Sequence, residues 1–275
     1  MMDFASLNTI TSIKNQQLRV ASKLLTRQGR KKSNLCLIDG YRQISLAKSI
    51  ESLFVADSEA GKKALCNLIE LRDDHLADVH IYKLPTKLLA ELSSVASNEG
   101  LVAVCHKPEL HNLTAEVCQK LSFIERPLVL LEDIQDPLNC GTIIRTAEAL
   151  GFAGMILSPN CVDAWHPVAL RGAMGSQFHL PMYQYQNLEE TVSWLKQSAY
   201  QLLATDLSGE KLDWHSKPSS NTVVVMGNEG QGISKAMCQL VEQRICIPMY
   251  GKAESLNVAS SFAMLAGWIS SHYSE

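Results

Sequence analysis

Short apolar runs alternate with amphipathic stretches along most of this chain, and the two periods separate strands from helices. Residues 14–27 predict a basic helix. Leu18, Leu24 and Leu25 are its apolar positions, while Arg19, Lys23 and Arg27 recur every four residues. Gly29 is expected to end it, leaving residues 30–34 as a charged loop. Then come a short strand at 35–38 and a helix opening at Asp39-Gly40 and running through Lys48. Strands are predicted at 53–56, 79–82 and 101–105, with helices at 58–71 and 85–92 between them. This alternation predicts a compact α/β domain with a largely buried sheet.

The pattern weakens between His106 and Arg126, a region bracketed by Pro108 and Pro127. It sets the expected division: an N-terminal domain over 1–112, a linker over 113–126 and a second α/β domain with parallel strands over 127–275. In that second domain strands are predicted at 128–131, 155–157, 180–183, 201–204, 222–226 and 244–247. Helices are predicted at 140–150, 167–174, 188–196, 234–242 and 255–271.

Composition narrows the class. No apolar run approaches the roughly 18 residues that span a bilayer, and residues 1–20 lack the continuous apolar core of a secretory signal. The eight cysteines form no CxxC pair and no Cys/His cluster with zinc spacing. They read as reduced thiols of a cytoplasmic protein, with no metal expected. Net charge is −3, but it is unevenly spread. Residues 1–50 carry nine Lys/Arg against Asp3 and Asp39, which makes that segment +7 and the remainder −10. Such a patch is either a solvated helix face or a grip on phosphates.

Three glycine-punctuated segments carry the candidate chemistry. After the strand at 128–131 comes Glu132-Asp133-Ile134-Gln135-Asp136-Pro137-Leu138-Asn139-Cys140-Gly141, with Arg145 further along the helix. Asn139 reads as the helix N-cap. Arg145 reads either as a surface ion-pair partner or as a phosphate clamp near the strand ends. The carboxylates Glu132, Asp133 and Asp136 suit turn-making better than metal binding. The second segment, Gly227-Asn228-Glu229-Gly230-Gln231-Gly232, fits neither a phosphate-binding P-loop nor an early dinucleotide fingerprint. It holds Glu229 close to whatever the loop backbone contacts. The third runs from Ile247-Pro248-Met249-Tyr250-Gly251 to Ser255-Leu256-Asn257-Val258. There Ser255 reads as an N-cap and Asn257 as a polar residue inside the helix without capping duty.

In order and spacing, these segments resemble the three signature motifs of the SpoU/TrmH family of RNA ribose 2′-O-methyltransferases, in the SPOUT superfamily. The resemblance covers about residues 125–272. A weaker likeness at Arg30-Lys31-Lys32 and Leu37-Ile38-Asp39-Gly40, with Asp39 where relatives usually carry Glu, points to the family's ribosomal-protein-like substrate-binding domain. The resemblance implies a trefoil-knotted domain, an obligate homodimer and bound S-adenosylmethionine. It further implies an active-site set of Asn139, Arg145, Glu229, Ser255 and Asn257. Cofactor contacts would come from Thr205, Met226, Gly227, Gly230, Ile247, Met249 and Leu256. Arg27, Arg30, Lys31, Lys32, Arg42 and Arg171 would meet RNA. Around Arg171 the chain departs from the family at Val168, where relatives often carry Lys, and at Ala173, where they often carry Ser. His166 and His179 are expected to be structural or RNA-contacting.

What this implies is S-adenosylmethionine-dependent methylation of a ribose 2′-hydroxyl, with ribosomal RNA the leading substrate and transfer RNA second. Two other readings stay open at this level: a catalytically silent RNA-binding protein of the same fold, and a Rossmann-type oxidoreductase, which lacks its early glycine fingerprint here.

Overall fold

In the computed structural model, which describes residues 4–72, 76, 78–93 and 99–272, the chain forms two compact units. The first comprises Met1–Pro108 together with Trp165–Phe178, and the second Glu109–Ala164 together with His179–Glu275.

The first unit contains strands β1 (Asn8–Thr9), β2 (Leu35–Asp39), β3 (Ile50–Ala56), β4 (His80–Leu84) and β5 (Leu101–His106). They form a five-stranded mixed sheet in the order β1-β4-β3-β5-β2. Strand β5 runs antiparallel to both β2 and β3, while β4 is parallel to β1 and β3. On one face Leu37, Phe54, Leu84 and Val102 pack with Leu18, Ala21 and Leu24. Those last three belong to, or directly follow, helix α1 (Gln16–Lys23). Helices α3 (Tyr41–Ser45), α4 (Glu59–Leu71) and α5 (Thr86–Ala90) fall where the alternation predicts them.

Two local expectations change in this unit. The basic helix ends at Lys23, and a second helix, α2 (Arg27–Ser33), occupies the expected charged loop. Thr26 starts it: its hydroxyl accepts from Gly29 N at 3.1 Å, and Asn34 ends it at φ 56°. Gly29 therefore sits in the first turn rather than at a terminus. Its position is forced, because a Cβ there would stand 2.0 Å from the Lys23 carbonyl oxygen. The segment following residue 164 brings helix α8 (Pro167–Ala173) into the first unit, where it packs on β2 through its buried Ala169, Leu170 and Ala173.

The second unit holds β6 (His111–Asn112), β7 (Leu128–Leu131), β8 (Gly154–Leu157), β9 (Met182–Gln184), β10 (Gln201–Lys211), β11 (Thr222–Met226) and β12 (Gln243–Cys246). All pairings are parallel, in the order β12-β10-β11-β7-β8-β9-β6. The central strands are apolar and buried on both faces, as a parallel sheet between helices requires. One face carries Leu128, Leu130, Val223 and Val225, packed with residues of α6 (Ala115–Ser122), α9 (Leu188–Gln197) and α10 (Lys235–Leu240). Alternate residues turn to the other face, where α7 (Pro137–Ala149) and α11 (Val258–Ser270) pack on each other and on β8 and β11. Residues 113–126, expected as a linker, contain α6; its Cys118 and Leu121 belong to this core.

The chain leaves β7 toward β8 on one side, while β11 lies on its other side. Strand order therefore reverses at the β7/β11 boundary, where parallel α/β sheets open a crevice at their carboxyl ends.

Candidate active site

The loops leaving β7 and β11 meet in that crevice and are tied together by side chains. Glu132, at the end of β7, is buried, and its carboxylate accepts from the backbone N and hydroxyl of Ser234 at 2.8 and 2.7 Å. Ser234 in turn caps α10 through Met237 N at 3.0 Å. Asp133, at φ 57°, accepts from the Ser158 hydroxyl at 2.5 Å, and its carbonyl accepts from Asn228 Nδ2 at 2.8 Å. The three acidic residues of this turn are thus structural, as the sequence suggests, and Glu132 reaches across to the neighbouring loop. Among the described residues no cluster of His, Cys, Asp or Glu is arranged to hold a metal ion.

The glycine loop after β11 folds on itself. Asn228 Oδ1 accepts from Gly230 N and Gln231 N at 3.0 and 3.1 Å, a local Asx-type turn. Its backbone exchanges two 2.9 Å bonds with Gly232. Gly227 has no room for a side chain: a Cβ would lie 2.3 Å from Gly232 and Ile233 backbone atoms. The turn leaves Glu229 pointing back at the start of α7.

There the motif residues converge. Glu229 Oε1 accepts from Asp136 N and from Asn139 Nδ2, both at 3.1 Å, and Oε2 accepts from Gln135 N at 3.2 Å. Asn139 Oδ1 accepts from Asn257 Nδ2 at 2.9 Å. Asn257 Oδ1 accepts from Ala259 N and Ser260 N at 2.9 and 3.3 Å. Because a carboxylate accepts only, it dictates the orientation of both amides. Partial burial acts to raise the Glu229 pKa, but the donors from Asn139, Asp136 and Gln135 outweigh it, and the carboxyl sits below its ordinary range.

Two capping assignments are corrected here. Asp136, not Asn139, caps α7, accepting from Leu138 N at 2.7 Å. Asn257, not Ser255, caps α11. Asn139 lies inside the first turn of α7 and is buried, free of capping and available to bridge.

Beside this network opens a cleft of about 650 Å³ at the carboxyl ends of β11 and β12 and along residues 205–207 of β10. Thr205, Met226, Gly227, Gly230, Ile247, Met249 and Leu256 all line it, together with Glu229, Ser255 and Asn257. Asp206, beside Thr205 in β10, and the motif residues Asn228, Gln231, Gly232 and Val258 line it too, while Leu207, Ile233, Ile245, Cys246 and Ser261 complete the lining and had no individual sequence signal. Arg145 does not line the cleft. It is exposed on the outer side of α7, one turn beyond Thr142, with no side-chain partner among the described residues.

Of the expected RNA contacts, Arg27, Lys31, Lys32, Arg42 and Arg171 are exposed, all on the first unit. Arg30 is a correction: it is 1% exposed, and its guanidinium donates to the Leu24 carbonyl at 2.8 Å, so it braces the α1–α2 junction instead of facing solvent. His166 caps α8, its Nδ1 accepting from Val168 N at 3.2 Å, whereas His179 is exposed.

Residues 126–267 match the family model described as the SpoU rRNA Methylase family. The 23S rRNA (guanosine(2553)-2′-O)-methyltransferase RlmP of Bacillus subtilis is 31% identical, over 94% of this chain and 98% of that protein. The 23S rRNA (guanosine-2′-O-)-methyltransferase RlmB of Neisseria meningitidis is 28% identical, over 79% and 86% respectively. Among solved structures, the AdoMet-bound rRNA methyltransferase of Sinorhizobium meliloti superposes with a TM-score of 0.80, covering 98% of this chain and 99% of that one at 22% identity. The AdoMet complex of the methyltransferase AviRb of Streptomyces viridochromogenes gives 0.76, covering 94% and 98% at 25% identity.

Proposed function

Because this chain belongs to the SpoU rRNA methylase family, we propose that it transfers the methyl group of S-adenosylmethionine to a ribose 2′-hydroxyl of ribosomal RNA. The observation that carries this reading is the unbroken Glu229–Asn139–Asn257 chain at the wall of the cleft. Ribosomal RNA comes ahead of transfer RNA because the relatives named above act on 23S rRNA.

The cleft fits the cofactor in size and character. Its volume lies in the range of small-molecule sites. It pairs apolar walls from Met226, Ile247, Met249 and Leu256 with polar groups from Thr205 and the glycine loop. When bound, S-adenosylmethionine supplies an already activated methyl group. The protein's task is therefore to align the hydroxyl and assist loss of its proton.

Glu229 is not that proton's acceptor. Three donors occupy its oxygens, and its pKa is lowered, which makes it a weak base. It holds Asn139 and Asn257 in fixed orientation at the cleft wall. Arg145 lies outside this chain's own cleft, so in the homodimer reading it would serve the cleft of the other copy, where a guanidinium is suited to aligning the hydroxyl and a neighbouring phosphate rather than taking a proton. Ser255, exposed on the lining, adds a hydroxyl beside the reacting group.

The exposed bases of the first unit would hold the RNA backbone without reading much sequence. We assign the first unit to substrate binding and the second to methyl transfer. The same reading includes the trefoil knot, a cytoplasmic location and a homodimer. Helices α7 and α11 run side by side, joined at one end by Asn139–Asn257 and at the other by Ser270 Oγ to the Leu150 carbonyl at 2.9 Å. Leu138 of α7 (46% exposed) and Met264 of α11 (42%) are apolar side chains left to solvent, which would suit contact with a second copy. Among the described residues no helix is long and apolar enough to cross a membrane.

The test is methyl transfer from labelled S-adenosylmethionine to RNA of a strain lacking the protein, with nuclease mapping. Label recovered as one 2′-O-methylnucleoside in ribosomal RNA is expected. Cofactor binding without label on naked or ribosome-assembled RNA would refute the reading in favour of a silent RNA-binding protein. Arg145→Lys should lose turnover while keeping RNA affinity; full activity would remove the alignment role. Met264→Glu should shift the sedimentation coefficient to that of a single chain.

A further inference from the structure

Between Met249 and Ser255, both in the cleft lining, the chain makes a five-residue excursion, Tyr250-Gly251-Lys252-Ala253-Glu254. All five residues are exposed, and a Cβ placed on Gly251 would touch nothing within 4 Å. The segment is therefore a lip, anchored at both ends in the cleft wall and standing clear of the rest of the chain. Its first residue is the most exposed large hydrophobic side chain in the described structure: Tyr250 at 97%. Successive Cα atoms are about 3.8 Å apart, so the Tyr250 backbone directly adjoins the cleft wall at Met249, and its ring stands free in solvent from there. Leu207 (65%) and Leu256 (39%), which line the cleft, are also exposed.

An aromatic ring buries on the order of 150–250 Å² when covered, and here all of that surface is left to solvent at the edge of a reactive site. Lys252 follows two residues later, also exposed. An aromatic face and an ammonium group alternating on one exposed segment match the repeat of single-stranded nucleic acid, in which a base and a phosphate alternate.

We propose that this lip is a base-stacking element. Tyr250 receives an unstacked nucleobase of the substrate on its ring, and Lys252 meets an adjoining phosphate. The proposal rests on the RNA methyl-transfer reading and assigns to that site a contact with the base rather than with the ribose. Stacking tolerates any base, so the lip favours an unpaired strand over a duplex without choosing a sequence.

The experiment uses the full chain and two fluorescein-labelled probes, a 12-nucleotide oligoadenylate and an abasic 12-mer with the same backbone, read by anisotropy. Tyr250→Ala should weaken oligoadenylate binding about ten-fold and leave the abasic probe unchanged. Tyr250→Phe should bind as the parent does. Lys252→Ala should weaken both probes alike and flatten the salt dependence by about 0.7 in log–log slope. Cofactor affinity measured on each variant reports that the cleft is intact. Equal binding of both probes by Tyr250→Ala and the parent would overturn the proposal, and so would equal weakening of both accompanied by a changed sedimentation coefficient, which would make the lip a contact between copies. If the parent transfers no methyl group to ribosomal RNA while Tyr250→Ala still selectively loses oligoadenylate, the lip stands and the reaction falls. If transfer proceeds and Tyr250→Ala matches the parent in RNA KM and in probe binding, the reaction stands and the lip falls.

Discussion

Asn257 carries two duties with one side chain, and the second can be removed without the first. Its oxygen caps α11, and its nitrogen donates to Asn139. Asn257→Ala removes both and should cost about 1 kcal/mol in stability as well as activity. Asn257→Asp keeps a capping oxygen, favoured at a helix N-terminus, but sets an acceptor against Asn139 Oδ1. It should melt close to the parent while turnover falls; full turnover in the Asp variant would show that the amide chain is dispensable. Glu229 adds a pH signature. Its folded pKa is lowered, so the unfolded chain binds the proton more readily, and the stabilisation is complete above the ordinary glutamate value of about 4.3 and lost as pH falls through the folded value. The difference in melting temperature between parent and Glu229→Gln should be greatest near neutrality and narrow toward pH 3. A constant gap would contradict the linkage. At this scale the sequence identified the members of the network but misassigned two duties. Asp136 and Asn257 are residue types that cap as readily as Asn139 and Ser255, so local propensity could not exclude them. The choice comes from partners 90 and 118 positions distant.

Among elements, strands were more legible than helix ends. The runs at 128–131 and 222–226 coincide with β7 and β11, because strands buried on both faces are written as unbroken apolar runs. The two-residue strands β1 and β6 have no such run and could not be read. Helix α2 was missed because Gly29 and the run Arg30-Lys31-Lys32 resemble a loop by composition, while the deciding signal is one hydroxyl, Thr26. Thr26→Ala should therefore lower stability by about 1 kcal/mol in urea denaturation. It should also loosen the segment that presents Arg27, Lys31 and Lys32, weakening RNA binding without affecting the cofactor. No change in either measurement would mean that tertiary packing alone holds α2. The same cap explains how Arg30 is drawn inward while its neighbours stay in solvent: one helical turn distributes consecutive basic residues to different sides.

For the whole molecule, the two α/β units were foreseeable from alternation, but the return of residues 165–178 to the first unit was not, since periodicity carries no information on which core an amphipathic helix joins. The thiols offer a check on both cores together. Cys36, Cys105, Cys118, Cys140 and Cys161 are buried, and Cys66 is exposed. Burial raises the Cys105 and Cys140 thiols and pushes Cys118 up to about 11, which disfavours the reactive thiolate. At pH 8 a thiol-specific reagent should modify Cys66 rapidly and the five buried thiols only on unfolding. Fast native labelling of Cys140 would mean that the helix beneath the active site opens readily.

The amide chain from Asn257 through Asn139 to Glu229 has a direction. Each nitrogen points toward the carboxylate, and the last oxygen receives two backbone N–H groups at the start of α11. With a carboxylate at one end and main-chain donors at the other, neither amide can turn over without breaking a bond at both ends. Three positions spread across 118 residues are thus constrained as one inherited unit. A group able to donate in place of Glu229 would meet the Asn139 nitrogen head-on, because Asn257, still held by Ala259 N and Ser260 N, keeps Asn139 in its orientation; the change would be tolerated only with a compensating one at position 139.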